Sequence, residues 1–264
     1  MITAWISSLT AVVTLIPAAA DALRPEPRRD HRFWLGALVA FLGPVAHTVH
    51  RMGATWRPDF VDAVWVSVAV TVALFALVAG VTRTAWRLAP LLYPFLILLG
   101  LLATMPASKP ATGQVAGGGW MVAHVALSVI TYGLTTVAAV AALAAFLQER
   151  ALKRHRPDSL TRRLPSVRDA ESLSVGLLGA AEIVLGLGLV TGMALELARH
   201  GSLLALSHKV LLTLIAFAVI GGILAARRLA GVRGRMAARL ILVAWLILGL
   251  GYVGVKFVTD VLIA

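Results

Sequence analysis

The chain contains no cysteine. That excludes disulfides, Cys-based zinc sites, thiolate catalysis, Cys-ligated iron–sulfur clusters and thioether-linked cofactors. Anything bound here is held by histidine, carboxylate, backbone or shape. Charge is scarce as well. Of 264 residues 14% are charged and 59% hydrophobic, where soluble domains carry about 25% and about 45–50%. With a mean hydropathy of +0.89, a soluble globular domain is ruled out. Acidic residues are the rarest charges, 12 against 24 Lys and Arg, for a formal charge of +12. Such an excess is compatible with nucleic-acid binding in principle. The basic residues, however, sit in short clusters between apolar runs, where they set membrane orientation, and no soluble basic domain remains to grip a polyanion. Nucleic acid is therefore not an expected partner; the lipid bilayer is.

What the chain has in abundance is long apolar runs. A spanning helix needs about 20 mostly apolar residues, and such runs occur near 2–23, 33–50, 61–81, 88–105, 120–147, 172–198, 203–226 and 237–260. The expected fold is all-α: a polytopic integral membrane protein, an eight-helix bundle forming one membrane domain over 1–264. Ala18, Ala19 and Ala20 resemble a signal-peptidase site, but no positive charge precedes the first run and Arg24, Arg28, Arg29 and Arg32 follow it. It reads as an uncleaved span. The connections after spans one, three, five and seven, with Arg239 at the start of span eight counted in the last, hold 4, 2, 7 and 5 Lys and Arg, 18 of the 24. By the positive-inside rule these are cytoplasmic, which puts both termini outside. The expected location is the plasma (inner) membrane, crossed several times. The longest inner connection, Gln148 to Asp169, carries seven basic residues and reads as an anchor to anionic headgroups.

Several familiar chemistries are missing. No HExxH, GxSxG or GxxxxGK[ST] motif occurs, so no catalytic role is expected. Pro106 to Gly119 reads as an outer loop that enters span five through an interfacial Trp120, and Gly188 with Gly192 forms a GxxxG pair that reads as a helix-packing contact.

The histidines carry more information. His47 lies about one turn before the outer end of span two, while His124 and His208 lie about one turn inside the outer starts of spans five and seven. At 1.5 Å per residue, all three are roughly 6 Å below the outer interface. Ionisable side chains inside a span are costly and point to function. Span five adds a polar stripe of His124, Ser128, Thr131, Tyr132 and Thr135 at helical spacing, expected to face the interior. The hydroxyls on it read as contacts between helices. Imidazoles without cysteine suit a zinc or copper site or axial ligation of haem iron. Haem needs only two, on opposite faces of a flat ring, and Trp56, Trp65, Trp120 and Tyr132 offer apolar walls on the same side. Haem is the better fit, bound non-covalently and so of b type. His124 and His208 are the expected axial ligands, with His47 a third position that receives or relays the ligand. Glu182, near the midplane of span six, supports a competing reading, proton-coupled transport of an ion or small solute.

The segment WMVAHVALSVITYGLTTVAAVAALAAFLQERALK resembles the His-to-Tyr span of the cytochrome c assembly family, the haem-handling membrane proteins of c-type cytochrome biogenesis. The likeness continues through RRLPSVRDAESL, GLGLVTGM, SHKVLLTLIAFAV and GVRGRMAARLILVAWLILGLGYVGVKFV, over roughly residues 33–260. Size and span number look most like the compact HemX-like branch. The resemblance implies His47, His124 and His208 as membrane histidines, and haem-synthesis or cytochrome c biogenesis proteins as partners. The tryptophan-rich outer motif of larger members is absent, and LLALSHKVLL stands in its place. The expectation is a haem-handling accessory in cytochrome c assembly or haem homeostasis rather than an enzyme.

Overall fold

The computed structural model describes residues 2–52, 59–104, 119–200 and 208–258, and no strand occurs among them. The helices are α1 (Ile2–Ala22), α2 (His31–Met52), α3 (Phe60–Val81), α4 (Ala89–Leu102, entered through a 3₁₀ turn at Ala85–Leu88), α5 (Gly119–Lys153), α6 (Val167–His200), α7 (His208–Leu229) and α8 (Gly234–Gly249). The last continues through a widened turn at Leu250–Gly254 into Val255–Phe257. Eight of these segments are long and apolar enough to cross a membrane. Local chemistry sets their ends. The Asp59 carboxylate accepts the backbone N–H of Asp62 at 2.8 Å and caps α3, while the N–H and hydroxyl of Thr82 both close on Val78 O at its far end.

Two helices exceed what hydropathy predicts. At 35 and 34 residues, α5 and α6 are each about 50 Å long, against a hydrocarbon core of about 30 Å. Both run on past the apolar segment at the basic end, where Gln148, Glu149, Arg150, Arg168 and Asp169 are hydrophilic yet compatible with helix. The connection between them thus shrinks to residues 154–166.

The first four helices pack around Trp65, Phe75, Tyr93 and Leu92, each at most 1% exposed. The Trp65 indole N–H donates to Ser8 Oγ at 3.0 Å, which ties α3 to α1. The second group is joined to the first through α5, buried along most of Val129–Ala145. Gly133 makes that junction close. A Cβ there would lie 2.7 Å from Leu74 Cδ1 and 3.5 Å from Thr71 Cα, so a side chain on α5 would force Leu74 to move. Within the second group α5 packs on α6 and α8, and so does α7, which places α5 and α7 at opposite corners of a four-helix ring. The Trp245 N–H donates to Thr136 Oγ1 at 3.0 Å and fixes α8 to α5.

The ends carrying most of the arginines come together. Arg29 donates to Ala79 O (2.8 Å) and Thr82 O (3.1 Å), and Glu171 accepts the Gly234 N–H (2.8 Å) while facing Arg227 (3.5 Å). If this end is cytoplasmic, a C-terminal tag is expected to be labelled from outside in intact cells. Labelling only after the membrane is opened would reverse the orientation.

Candidate functional site

At the opposite end of the bundle, His124 leans from α5 onto the glycine face of α6. Its Nδ1 lies 3.1 Å from Gly188 O and 3.3 Å from Thr191 Oγ1. The carbonyl has no hydrogen, and the Thr191 hydroxyl hydrogen is directed to Leu187 O or Gly188 O, each at 3.0 Å. Nδ1 must therefore carry the proton. This fixes the tautomer and leaves the lone pair on Nε2, the arrangement in which a histidine serves as a metal ligand. Gly192 makes room for the ring, since a Cβ there would meet His124 Cε1 at 3.0 Å. The GxxxG pair thus packs α6 on α5, as its spacing implies, with Gly192 against the imidazole and Gly188 against Leu127.

Trp120 stands one turn from His124 toward the same end, on the same face by i, i+4 spacing, and is 65% exposed. Tyr132 is buried at 3% exposure, its ring 5.6 Å from that of Tyr252 in the widened turn of α8. Tyr132 is a wall of the core, two turns below the imidazole. The rest of the stripe faces inward, with Thr131 and Thr135 each 1% exposed. The hydroxyls of Ser128, Thr131 and Thr135 bond along their own helix rather than across to another, which corrects the expectation of hydrogen bonds between helices. Ser128 donates to His124 O, Thr131 to Leu127 O and Thr135 to Thr131 O, each at 2.8 Å. The i−4 carbonyl is the nearest acceptor, and a threonine reaches it without help from a neighbour.

His208 is the first residue of α7, and its side chain lies outside the described part of the structure. The backbone places it at the same end as His124, on the helix at the opposite corner of the ring. Trp56 also lies outside the described residues. His47 belongs to the other group of helices. It is 3% exposed, its ring sits 5.2 Å from Trp65, and among the described residues neither ring nitrogen makes a hydrogen bond of good geometry. One turn further along α2, Arg51 donates to Asp59 Oδ2 at 2.5 Å and to Asp62 Oδ1 at 2.6 Å, closing α2 onto α3. The sequence reading missed this clamp; its signal was a DxxD pair directly after an arginine-terminated span.

Glu182 lies ten residues before Gly192, so about 15 Å along α6 toward the basic end. It borders an open cavity of about 800 Å³ between α6 and α7, with Gly176, Gly179, Gly221 and Arg228 among its walls. Its Oε2 is buried without a hydrogen-bond partner among the described residues. No group of three His, Asp or Glu is placed to hold a metal ion among those residues.

Comparison with known proteins points to one family. A family model described as "Cytochrome C assembly protein" matches residues 34–263. The chain is also 48% identical, over 97% of its own length and 97% of the relative's, to an "Uncharacterized 28.8 kDa protein in nifR3-like 5'region" of Azospirillum brasilense. No solved structure matches it.

Proposed function

The chain belongs to the cytochrome c assembly protein family, and from that premise we propose that it is a membrane accessory which holds haem during the maturation of c-type cytochromes. The observation that carries the reading is the 3.1 Å contact of His124 Nδ1 with Gly188 O, which assigns the proton of the neutral ring to Nδ1 and leaves the lone pair on Nε2. This donor fits haem iron, which takes neutral imidazole as an axial ligand. His208, from the opposite corner of the ring, is the proposed second ligand. When bound, haem supplies an iron centre whose reduction potential the two imidazoles would tune. The protein's own contribution is orientation. Gly188 and Thr191 hold the imidazole, Gly192 leaves space for it, and the exposed indole of Trp120 offers a flat apolar face beside it.

In the proposed orientation this site lies in the outer leaflet of the plasma membrane, where the chain would hold haem without the tryptophan-rich outer motif of the larger members. Purified protein supplied with haem is expected to show a six-coordinate, low-spin absorption spectrum. Absence of a saturable band in the wild type would overturn the reading. His47, sealed against Trp65, is proposed to affect loading rather than ligation, so His47→Ala should change the spectrum less than loss of either ligand.

A second reading rests on Glu182 and the cavity beside it, which suit a proton-coupled solute path. The two separate cleanly. Glu182→Gln is expected to leave the haem spectrum intact, because the amide keeps an acceptor and the site is about 15 Å away along α6. Haem loss in this variant at normal expression would remove the proposed separation, and Glu182-dependent flux without pigment would favour transport.

A further inference from the structure

The basic end of the molecule holds a cavity of about 300 Å³ built from three separate connections. Pro25 and Pro27 come from the α1–α2 connection, Trp86 and Arg87 from the turn before α4, and Ser159, Arg162 and Arg163 from the α5–α6 connection. No acidic side chain lines it. Among the described residues, Arg87, Arg162 and Arg163 form no ion pair. Three guanidiniums facing one space repel each other unless an anion joins them.

The walls are fixed, which distinguishes this cavity from a loose basic patch. The Gln148 amide donates from α5 to Thr161 O (2.8 Å), Pro165 O (3.1 Å) and Leu164 O (3.3 Å), strapping the arginine-bearing connection to the helix. Thr161 and Leu164 are buried beneath it. Asp158, the carboxylate next in sequence to Ser159, is already engaged. It accepts the Thr161 N–H at 2.7 Å and its hydroxyl at 2.8 Å, and these bonds hold its pKa below the usual carboxylate value. Arg29 pins the α1–α2 connection to the end of α3. The Arg87 guanidinium lies 5.4 Å from the Trp86 ring, which restricts it to the cavity rim.

We propose that this cavity is a binding site for a phosphate-bearing ligand at the basic end of the bundle. A carboxylate offers two oxygens, too few for three planar forks and a serine hydroxyl; a phosphate group offers more acceptors and up to two negative charges, and guanidinium pairs match it bidentately. The indole and the two prolines accommodate the organic part of the ligand. The phosphate comes either from an anionic lipid headgroup, given the position at the helix ends, or from a soluble phosphate. Such a ligand would cross-link three connections that the helices alone hold apart.

The test uses the full chain in detergent, titrated separately with phosphatidylglycerol, phosphatidylcholine and inorganic pyrophosphate, with binding read by native mass spectrometry and thermal unfolding. Sodium chloride at matched ionic strength serves as control. Wild type is expected to bind phosphatidylglycerol or pyrophosphate, and Arg162→Gln/Arg163→Gln, which removes two guanidiniums, to bind the same species at least about tenfold more weakly. Arg87→Gln, which leaves the strapped connection untouched, should weaken it in the same direction. Phosphatidylglycerol alone identifies a lipid headgroup, and pyrophosphate a soluble source. Equal affinity in wild type and all variants, no binding of either phosphate species, or an equal effect of sodium chloride would overturn the proposal.

Discussion

His124→Ala is expected to abolish the low-spin haem spectrum at concentrations that saturate the wild type, while the protein still folds. The imidazole is half-buried and makes one hydrogen bond to Gly188 O with a longer contact to Thr191. Losing such a bond costs about 1 kcal/mol, small against the packing of α5, which stays buried along Val129–Ala145. Coordination, by contrast, is lost outright, since no other donor on α5 reaches that level. Helical content should be unchanged and the spectrum should move to a five-coordinate or water-ligated form. Added imidazole should restore it if the proposed haem is also held by contact of its faces with apolar side chains. His208→Ala should behave in the same way if α7 supplies the opposite ligand. Wild-type spectra in both single variants would refute ligation by this pair.

Such a test is needed because counting residues along helices yields depth and little else. His47 and His124 are each five residues from a helix end on the same side of the bundle, as the apolar runs imply. Depth says nothing of rotation about the helix axis or of which helices are neighbours. In the structure His47 points among the first helices onto Trp65, and His124 lies across α5 on α6. The helices themselves were legible because apolar runs of this length have one stable form in a bilayer. Their extensions were not. Gln148 to Lys153 read as a polar connection on hydropathy, yet these residues continue α5 and Gln148 uses its amide to strap the next segment. The clamp of Arg51 on Asp59 and Asp62 was hidden for a related reason: charges at span ends look like simple snorkelling until the partner is seen across the turn.

The two glycines of α6 should respond differently to the same added methyl group, and the difference measures how much the imidazole depends on its support. At Gly188 a Cβ would lie 3.9 Å from Leu127 Cβ, an ordinary contact, so Gly188→Ala should retain both packing and haem affinity. At Gly192 the same atom would lie 3.0 Å from His124 Cε1 and 3.4 Å from Nδ1. Alanine there asks the ring to give by a few tenths of an ångström, and valine, with two further methyl groups, displaces it. As the ring moves, Nδ1 loses Gly188 O, the tautomer is no longer fixed and Nε2 no longer points where it did. Removing the group that orients a ligating histidine weakens the site by about 10–100-fold, and Gly192→Val is expected to fall in that range when haem binding is followed by titration of the Soret band. A purely structural GxxxG contact predicts another pattern, with both substitutions loosening α5 from α6 and lowering thermal stability together. Equal haem affinity in Gly188→Ala and Gly192→Val would show that the imidazole is not the group this glycine serves, and would leave His124 a packing residue.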